Sequence, residues 1–463
     1  MAQRGFLTAF AALAIAFGLG GAAPTPAIER WIEIVGPDGQ PVGFQHESES
    51  ATPQGRTLRR ERYLAVKVDG HGESRTRSIL VRHYGAAGRL EHFRFEQQAG
   101  DQQLTVEGTV AGGTLSLVRM LDGKRTARSF VWPEGQDLAD PLAFEQQGGA
   151  RFELAPGGLR LDRRELRLVA QGDGRVLRLG YVDGRLDSAE VAGKDAIEQP
   201  QLGFSMTLRQ AAGPLAASRY AKPQRIPHEM WKSPFYVSAG ALRGQIRYRF
   251  GFRHGFAGSL PQTGEQAVKP VEGGWQLDIC ARCGPGFASD AQSLARWRQP
   301  TPWIQSDAPE IVAAVRALLR PGLSESARMG ELARLARARL ARTDFEGYYP
   351  ARAAWRHRAG DCTEDAVVLA ALARAAGIPA RVASGITYSR TRYHGAADAF
   401  LPHAWVIAWV DGRWQSYDIS LEGFDASHIA LSLSDGEPGG YIEAMRLAAL
   451  LDWQGMSEVR KRN

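Results

Sequence analysis

The chain has 463 residues, 44% of them apolar and 23% charged, with Lys and Arg exceeding Asp and Glu by seven. These values exclude a disordered or fibrous chain and, at roughly 150 residues per domain, point to about three domains. The mild, interspersed positive charge demands no acidic partner, and 52 glycines with 24 prolines and no three-residue period speak for turns, not collagen.

Arg4 is followed by an apolar run, Phe6 to Leu19, and then by Gly20, Gly21, Ala22 and Ala23. A basic start, a short apolar run and a small-residue end describe an export signal, here residues 1–27 with cleavage near Ala23 to Ala27. An uncleaved anchor is the alternative, but the run is short for a span, and no later stretch reaches the ~20 apolar residues a spanning helix needs. A periplasmic or secreted protein is expected.

Residues 28 to about 222 read as antiparallel β-structure: Trp31–Val35, Tyr63–Val68 and Leu90–Phe95 are runs of branched and aromatic residues. Asp-Gly turn signals stand at 69–70, 122–123, 173–174 and 183–184. A meander, large sheet or open barrel follows, with charged residues alternating onto one wet face. His46, His71, His83 and His92 are scattered singly, without metal-ligand spacing. Four prolines in 212–235 give that stretch the look of a linker. A second β-rich segment, 223–290, carries Gln245–Phe250 and Trp275–Ile279 and ends at Cys280 and Cys283.

That C-A-R-C pair is a local disulfide, half of a zinc site or a redox motif. A zinc site needs a second pair, and Gly284-Pro285 does not open the helix a redox motif requires. A structural disulfide between Cys280 and Cys283 is expected, which leaves Cys362 as an odd thiol.

From Ser306 the pattern turns helical. Asp307 is a plausible cap for a helix to about Leu319, and a second helix spans about 324–342 with Leu332, Leu335 and Leu340 on one side. Its arginines, Arg328, Arg334, Arg337, Arg339 and Arg342, read by default as a solvated face. A third helix runs from Cys362 to Ala376 and stops at Gly377. Cys362 thus lies in a first turn, where the helix dipole favours a thiolate and free N–H groups can receive an oxyanion.

A strand, Ala380 to Tyr388, and a polar loop, 389–401, follow. Then His403–Val410 and Arg413–Asp418 flank an Asp411-Gly412 hairpin turn. Pairing Val410 with Arg413 sets His403 opposite Ser420, with Asp418 a diagonal neighbour on the same face. An imidazole oriented by a carboxylate, beside a thiol at a helix N-terminus, is what nucleophilic acyl transfer requires. No cofactor and no metal are called for.

Residues about 301–435 resemble the transglutaminase-like superfamily, relatives of the papain-type cysteine peptidases. Gly360-Asp361-Cys362, the run Ala371 to Arg381, His403-Ala404-Trp405 and Trp414 to Asp418 carry the resemblance. It implies Cys362 as nucleophile, His403 as general base and acid, and Asp418 as the residue that orients the imidazole. The implied architecture is multidomain: a β-rich N-terminal half followed by an α+β papain-like catalytic domain over 291–463. Val406 and Ile407 stand where family members often carry an acidic residue, and no calcium-ligand spacing is evident. Trp355 and Tyr349 are candidates for the pocket wall. The expected activity is hydrolysis or acyl transfer at a peptide or isopeptide amide, with a cell-wall peptide as one candidate substrate. The rivals are an inactive envelope scaffold and a thiol–disulfide protein using Cys280 and Cys283. Nucleic-acid binding is disfavoured, for no reader motif appears.

Overall fold

The computed structural model describes residues 28–459 apart from 69–71, 133–146, 156–159, 234–235, 285, 344–347, 392–396 and 422. The export-signal segment, the 69–70 turn and His71 lie outside the described residues.

One large antiparallel sheet takes up the N-terminal half. Its strands are β1 (Ile28–Val35), β2 (Pro41–Thr52), β3 (Gly55–Val68), β4 (Gly72–Gly85), β5 (Leu90–Ala99), β6 (Gln102–Ala111) and β7 (Thr114–Leu121). They continue as β8 (Lys124–Val131), β9 (Gly149–Ala155), β10 (Arg160–Ala170), β11 (Val176–Val182), β12 (Arg185–Ala192), β13 (Ala196–Gln201) and β14 (Phe204–Gln210). The chain walks outward from β1 to β8 and returns from β9 to β14, so β1 and β14 pair in the middle. Asp122-Gly123 and Asp183-Gly184 take positive φ at both residues, the geometry that lets a two-residue turn match strand twist. At Asp173-Gly174 only the glycine does, and the loop is wider, closed by Gln171 N–H to Arg175 O at 2.8 Å. The sheet is curled: Leu161 of β10 packs on the same hydrophobic cluster as Leu58 and Leu80 of β3 and β4, far away in strand order.

The stretch expected to be a linker is stitched down at two points. β15 (Gln224–Ile226) adds in parallel to β3, and β16 (Trp231–Lys232) pairs with Phe400 and Ala399. Pro227 separates the two short strands. A four-stranded sheet follows, made of β17 (Gln245–Phe252), β18 (Gln266–Val271), β19 (Gly274–Cys280) and, from the far end of the chain, β26 (Leu451–Glu458). The turn after β19 is closed by the Cys280–Cys283 disulfide.

The helical layer holds α1 (Pro309–Leu318), α2 (Glu325–Arg339), α3 (Ala351–His357) and α4 (Cys362–Ala375). Ala308, not Asp307, is the N-cap of α1, and Pro309 at the first helical position supplies the start in place of a side-chain cap. Two 2-residue strands, β20 (Ala341–Arg342) and β21 (Ala359–Gly360), pair beside this layer. The C-terminal sheet, which β16 joins, comprises β22 (Ala380–Ser389), β23 (Ala399–Val410), β24 (Arg413–Tyr417) and β25 (Ile429–Ser434). The last helix, α5 (Pro438–Leu450), leads directly into β26.

One core joins β11 and β12 of the large sheet to β17, β19, β22, β25 and α5, so the parts share a hydrophobic interior. A second core lies between α1–α4 and the even-numbered residues of β23, including Ala404 and Val406. Trp453 of β26 is a joint between sheets. Its ring lies 4.5 Å from Phe250, 3.7 Å from Trp231 and 4.9 Å from Phe400. Trp453→Ala is expected to cost about 3 kcal/mol and lower the urea midpoint. An unchanged midpoint would show that β26 does not anchor the fold.

Candidate active site

Cys362 is the first residue of α4, and its position is fixed by a reciprocal cap. Asp361 accepts from Thr363 N at 2.7 Å, while Glu364 reaches back to accept from Asp361 N at 3.1 Å. A glycine must precede this pair, because a Cβ on Gly360 would stand 2.4 Å from Glu364 Cβ. The cap takes up the N–H groups of Thr363 and Glu364. The Cys362 N–H is left as the first-turn donor beside the sulfur.

The strand opposite presents an open edge. The hairpin pairs Val410 with Arg413 and continues to Val406 with Tyr417, in the register read from the Asp-Gly turn. There β24 ends, and β16 covers β23 only at Ala399 and Phe400. Between them residues 401–405 have no strand partner on that edge among the described residues. On this open edge the Ala404 N–H favours the ionised form of the Cys362 sulfur. His403 and Trp405 alternate onto the sheet face away from α4, while Ala404 between them faces the helical core.

His403 Nε2 donates to Asp418 Oδ2 at 3.0 Å, and both side chains are buried. This bond commits Nε2 and leaves Nδ1 as the nitrogen able to serve the sulfur. A second imidazole, which no sequence spacing singled out, completes the group. His428 Nε2 donates to the same Asp418 oxygen at 3.1 Å, and its Nδ1 faces Asp425 Oδ1 at 3.1 Å. Trp405 packs against both rings, and Phe424 against that of His428. The ligand-capable atoms of His403, Asp418 and His428 lie within 4.8 Å of one another. Metal-like spacing is thus present, but shared protons already satisfy these atoms, and Asp418 Oδ1 accepts from Ser420 N at 2.8 Å.

The segment after β24 is clamped from α2. Arg337 donates to the carbonyls of Asp418, Ile419 and Leu421 at 3.2, 3.0 and 3.0 Å, and Arg342 donates to that of Ser420. These two arginines are therefore not a solvated face: they satisfy carbonyls freed where β24 leaves the sheet. Ser420 in turn donates to Asp365 of α4 at 2.7 Å. Helix, strand edge and clamped loop are thereby held as one unit.

Electrostatics modify the reading of the sulfur. Burial pushes the Cys362 thiol well up, Asp361, Asp365 and Asp418 push it further, and only the Ala404 N–H opposes them. The resting sulfur is a thiol, not the thiolate that a helix N-terminus alone would favour. Burial also raises Asp418, but His403 and His428 outweigh it and hold the carboxyl well below its usual range. Burial lowers His428, yet its bonds to Asp418 and Asp425 carry it up to about 9. Burial and the neighbouring Asp361 raise Glu364 to about 7, and burial raises Asp365 to about 6.

Trp355 is buried in the helical core with Arg339 over its ring. Tyr349 is exposed beside His357, with its N–H bound to Glu364 at 3.0 Å. Its neighbour Tyr348 packs at 6.0 Å on Tyr441 of α5, and both phenols sense the charge of Cys362. Tyr441 lies some eighty residues from the cysteine, and no motif announces it. The disulfide-closed turn packs Gly284 on Gly264 and Glu265, and Glu265 accepts from Ser416 of β24. The cysteine pair thus buttresses the hairpin from outside.

Two outcomes follow from the charge balance. Iodoacetamide labelling of Cys362 is expected to keep accelerating above pH 9, and a plateau below pH 8 would contradict a raised thiol. Because His428 is raised on folding, its stabilising effect is complete below about pH 6.5 and is lost as pH climbs through about 9. This amounts to about 3 kcal/mol. Thermal midpoints measured over that window should fall for the natural chain and stay flatter for His428→Gln.

Residues 318–419 match the family model described as the Transglutaminase-like superfamily. No curated protein matches the chain. Among solved structures it is similar to a "Putative Cysteine Protease from Cytophaga hutchinsonii", with 13% identity, a TM-score of 0.29, and 47% of this chain and 84% of that one covered. It is also similar to a β-barrel-like protein with a domain of unknown function from Brucella abortus, with 10% identity, a TM-score of 0.28, and coverage of 40% and 94%. A third is a "putative protease" from Parabacteroides distasonis, with 11% identity, a TM-score of 0.21, and coverage of 72% and 68%. The segment that carries Cys362, His403 and Asp418 is a transglutaminase-like domain, joined in this chain to a large curled antiparallel sheet.

Proposed function

We propose that the chain is an exported cysteine-dependent amide hydrolase acting on peptide or isopeptide bonds, with Cys362 as nucleophile, His403 as base and acid, and Asp418 as the orienting carboxylate. The observation that carries this reading is the buried His403 Nε2–Asp418 Oδ2 bond of 3.0 Å beside a strand edge whose Ala404 N–H favours the ionised form of the cysteine sulfur.

The chemistry runs from a neutral pair. His403 Nδ1 takes the thiol proton as Cys362 Sγ attacks the amide carbonyl, so the thiolate need exist only during attack. Asp418, held ionised, stabilises the imidazolium that forms. The Cys362 N–H at the helix N-terminus supports the oxyanion. The tetrahedral intermediate collapses to a thioester as the imidazolium Nδ1–H passes to the leaving amine. Water, deprotonated by His403, then releases the carboxylate and restores the thiol. An amine in place of water gives transfer; we favour hydrolysis because water needs no dedicated subsite. Export rests on the reading of residues 1–27, and it makes a cell-wall peptide a candidate substrate. No helix among the described residues is long and apolar enough to cross a membrane.

The test is turnover of quenched peptides and cell-wall muropeptides, with a dansylated amine present to report transfer. Cys362→Ala is expected to abolish product, and Asp418→Asn to lower kcat about 10²-fold or more. Turnover that survives Cys362→Ala would sink the proposal. Incorporation of the amine in preference to water would change hydrolysis to transfer.

A further inference from the structure

The curl of the large sheet encloses a second chemical environment, whose lining excludes Cys362, His403 and Asp418. Side chains alternate along a strand, so every second residue shares the inner face. On β3 these residues are Leu58, Arg60, Arg62, Leu64 and Val66: an apolar start, two cations, then an apolar end. The cross-strand neighbours follow the same layering. Arg30 stands opposite Glu47, which stands opposite Arg60, and Ile32 stands opposite Gln45, which stands opposite Arg62. Leu58 belongs to one hydrophobic cluster and Leu64 and Val66 to another. A cationic belt is therefore held between two apolar layers, where a sheet with one wet face would have put its charge outside.

The belt surrounds a cavity of about 640 Å³, closed on one side by Ile442 and Arg446 of α5. This volume is in the range of small-molecule sites. Among the described residues seven arginines line it against three carboxylates, Glu47, Asp187 and Glu190. Glu47 is shared by Arg30 and Arg60, Glu190 lies 3.6 Å from Arg178, and Asp187 lies 4.0 Å from Arg164. Arg446 is spent on the Asp187 carbonyl and Gln201. Arg62 makes no hydrogen bond or ion pair among the described residues, and the Nε of Arg178 finds no acceptor there. Arg62 keeps solvent-exposed surface while standing among protein atoms, as a side chain projecting into an internal space does. Burial lowers its pKa and Arg60 adds to this, with Glu190 only partly opposing. A guanidinium such as that of Arg62, without an ion-pair partner among the described residues in a partly desolvated space, is costly unless an anion completes it.

We infer that the lumen of the curled sheet binds a phosphate-bearing small molecule, its anionic group held by Arg62, Arg164 and Arg178. A phosphate group fits better than a lone carboxylate, because several guanidinium groups face the lumen and their forks pair with phosphate oxygens bidentately. The apolar layers on either side offer contact to a hydrocarbon portion, so the phosphate can belong to a soluble metabolite or to a lipid-like molecule.

Calorimetric titration of the full chain with sodium pyrophosphate and with decyl phosphate tests this and separates the two sources. Saturable binding of either probe is expected, weakened at least tenfold in Arg62→Gln and retained in Arg125→Gln, which lies on β8 outside the lining. Tighter binding of decyl phosphate assigns the lipid-like source, and equal or tighter binding of pyrophosphate assigns the soluble one. Should Arg62→Gln fold poorly, Arg178→Gln is read in its place, with the thermal midpoint as the check on folding. Absence of saturable binding of both probes to the natural chain overturns the inference. So does binding that is unchanged in both Arg62→Gln and Arg178→Gln. Cys362→Ala leaves binding intact, so a failure of the catalytic reading does not touch this one.

Discussion

The structure of the site depends on one buried carboxylate. Asp418 lies beyond the last paired residue of β24, where a charge would be expelled unless something held it. Two imidazoles converge on its Oδ2, the backbone N–H of Ser420 meets its Oδ1, and Arg337 grips its carbonyl. These groups come from β23, α2 and the loop between β24 and β25. The carboxylate therefore fixes the relation of helix layer, hairpin and the loop before β25. Removing it would leave His428 as an unpaired buried cation on that side.

The sheet that carries His403 is open beside it. The sheet is interrupted along one edge of β23, and the interruption is short: β16 closes it on one side and β24 on the other. Gly385 lies directly across β23 from His403, where a Cβ would stand 1.9 Å from Ile429 O, so the neighbouring strands pack closely behind the gap. The raised thiol follows from this enclosure. A sulfur with three carboxylates around it and one N–H donor keeps its proton until a base removes it.

Around the site, the chain is interlaced. β26 returns to pair with β17, β16 reaches forward to β23, and α5 packs against both the C-terminal sheet and β12 of the large sheet. Arg185 of β12 is bonded to Glu437 and Glu443 at the start of α5. The curled sheet is thus more than an appendage: it shares a core with the domain that bears Cys362, and α5 presents Tyr441 toward the sulfur and Arg446 toward the lumen.

The sequence by itself determined the local pieces. The cysteine at a helix start, the hairpin register across Asp411-Gly412, the proximity of His403 and Asp418, and the disulfide between Cys280 and Cys283 were legible because each is set within a short span. Capping, turn chemistry and strand alternation act over a few residues. His428, the Arg337 clamp, Tyr441 and the anchoring of 212–235 were not legible, because each depends on a partner ten to two hundred residues away. The state of the sulfur was misread for the same reason. A helix dipole is a local property, whereas desolvation and the fields of Asp365 and Asp418 exist only once the chain has closed around them. The charged inner belt of the large sheet also belongs to tertiary structure: alternation shows which residues share a face, but only the curl decides that the face looks inward.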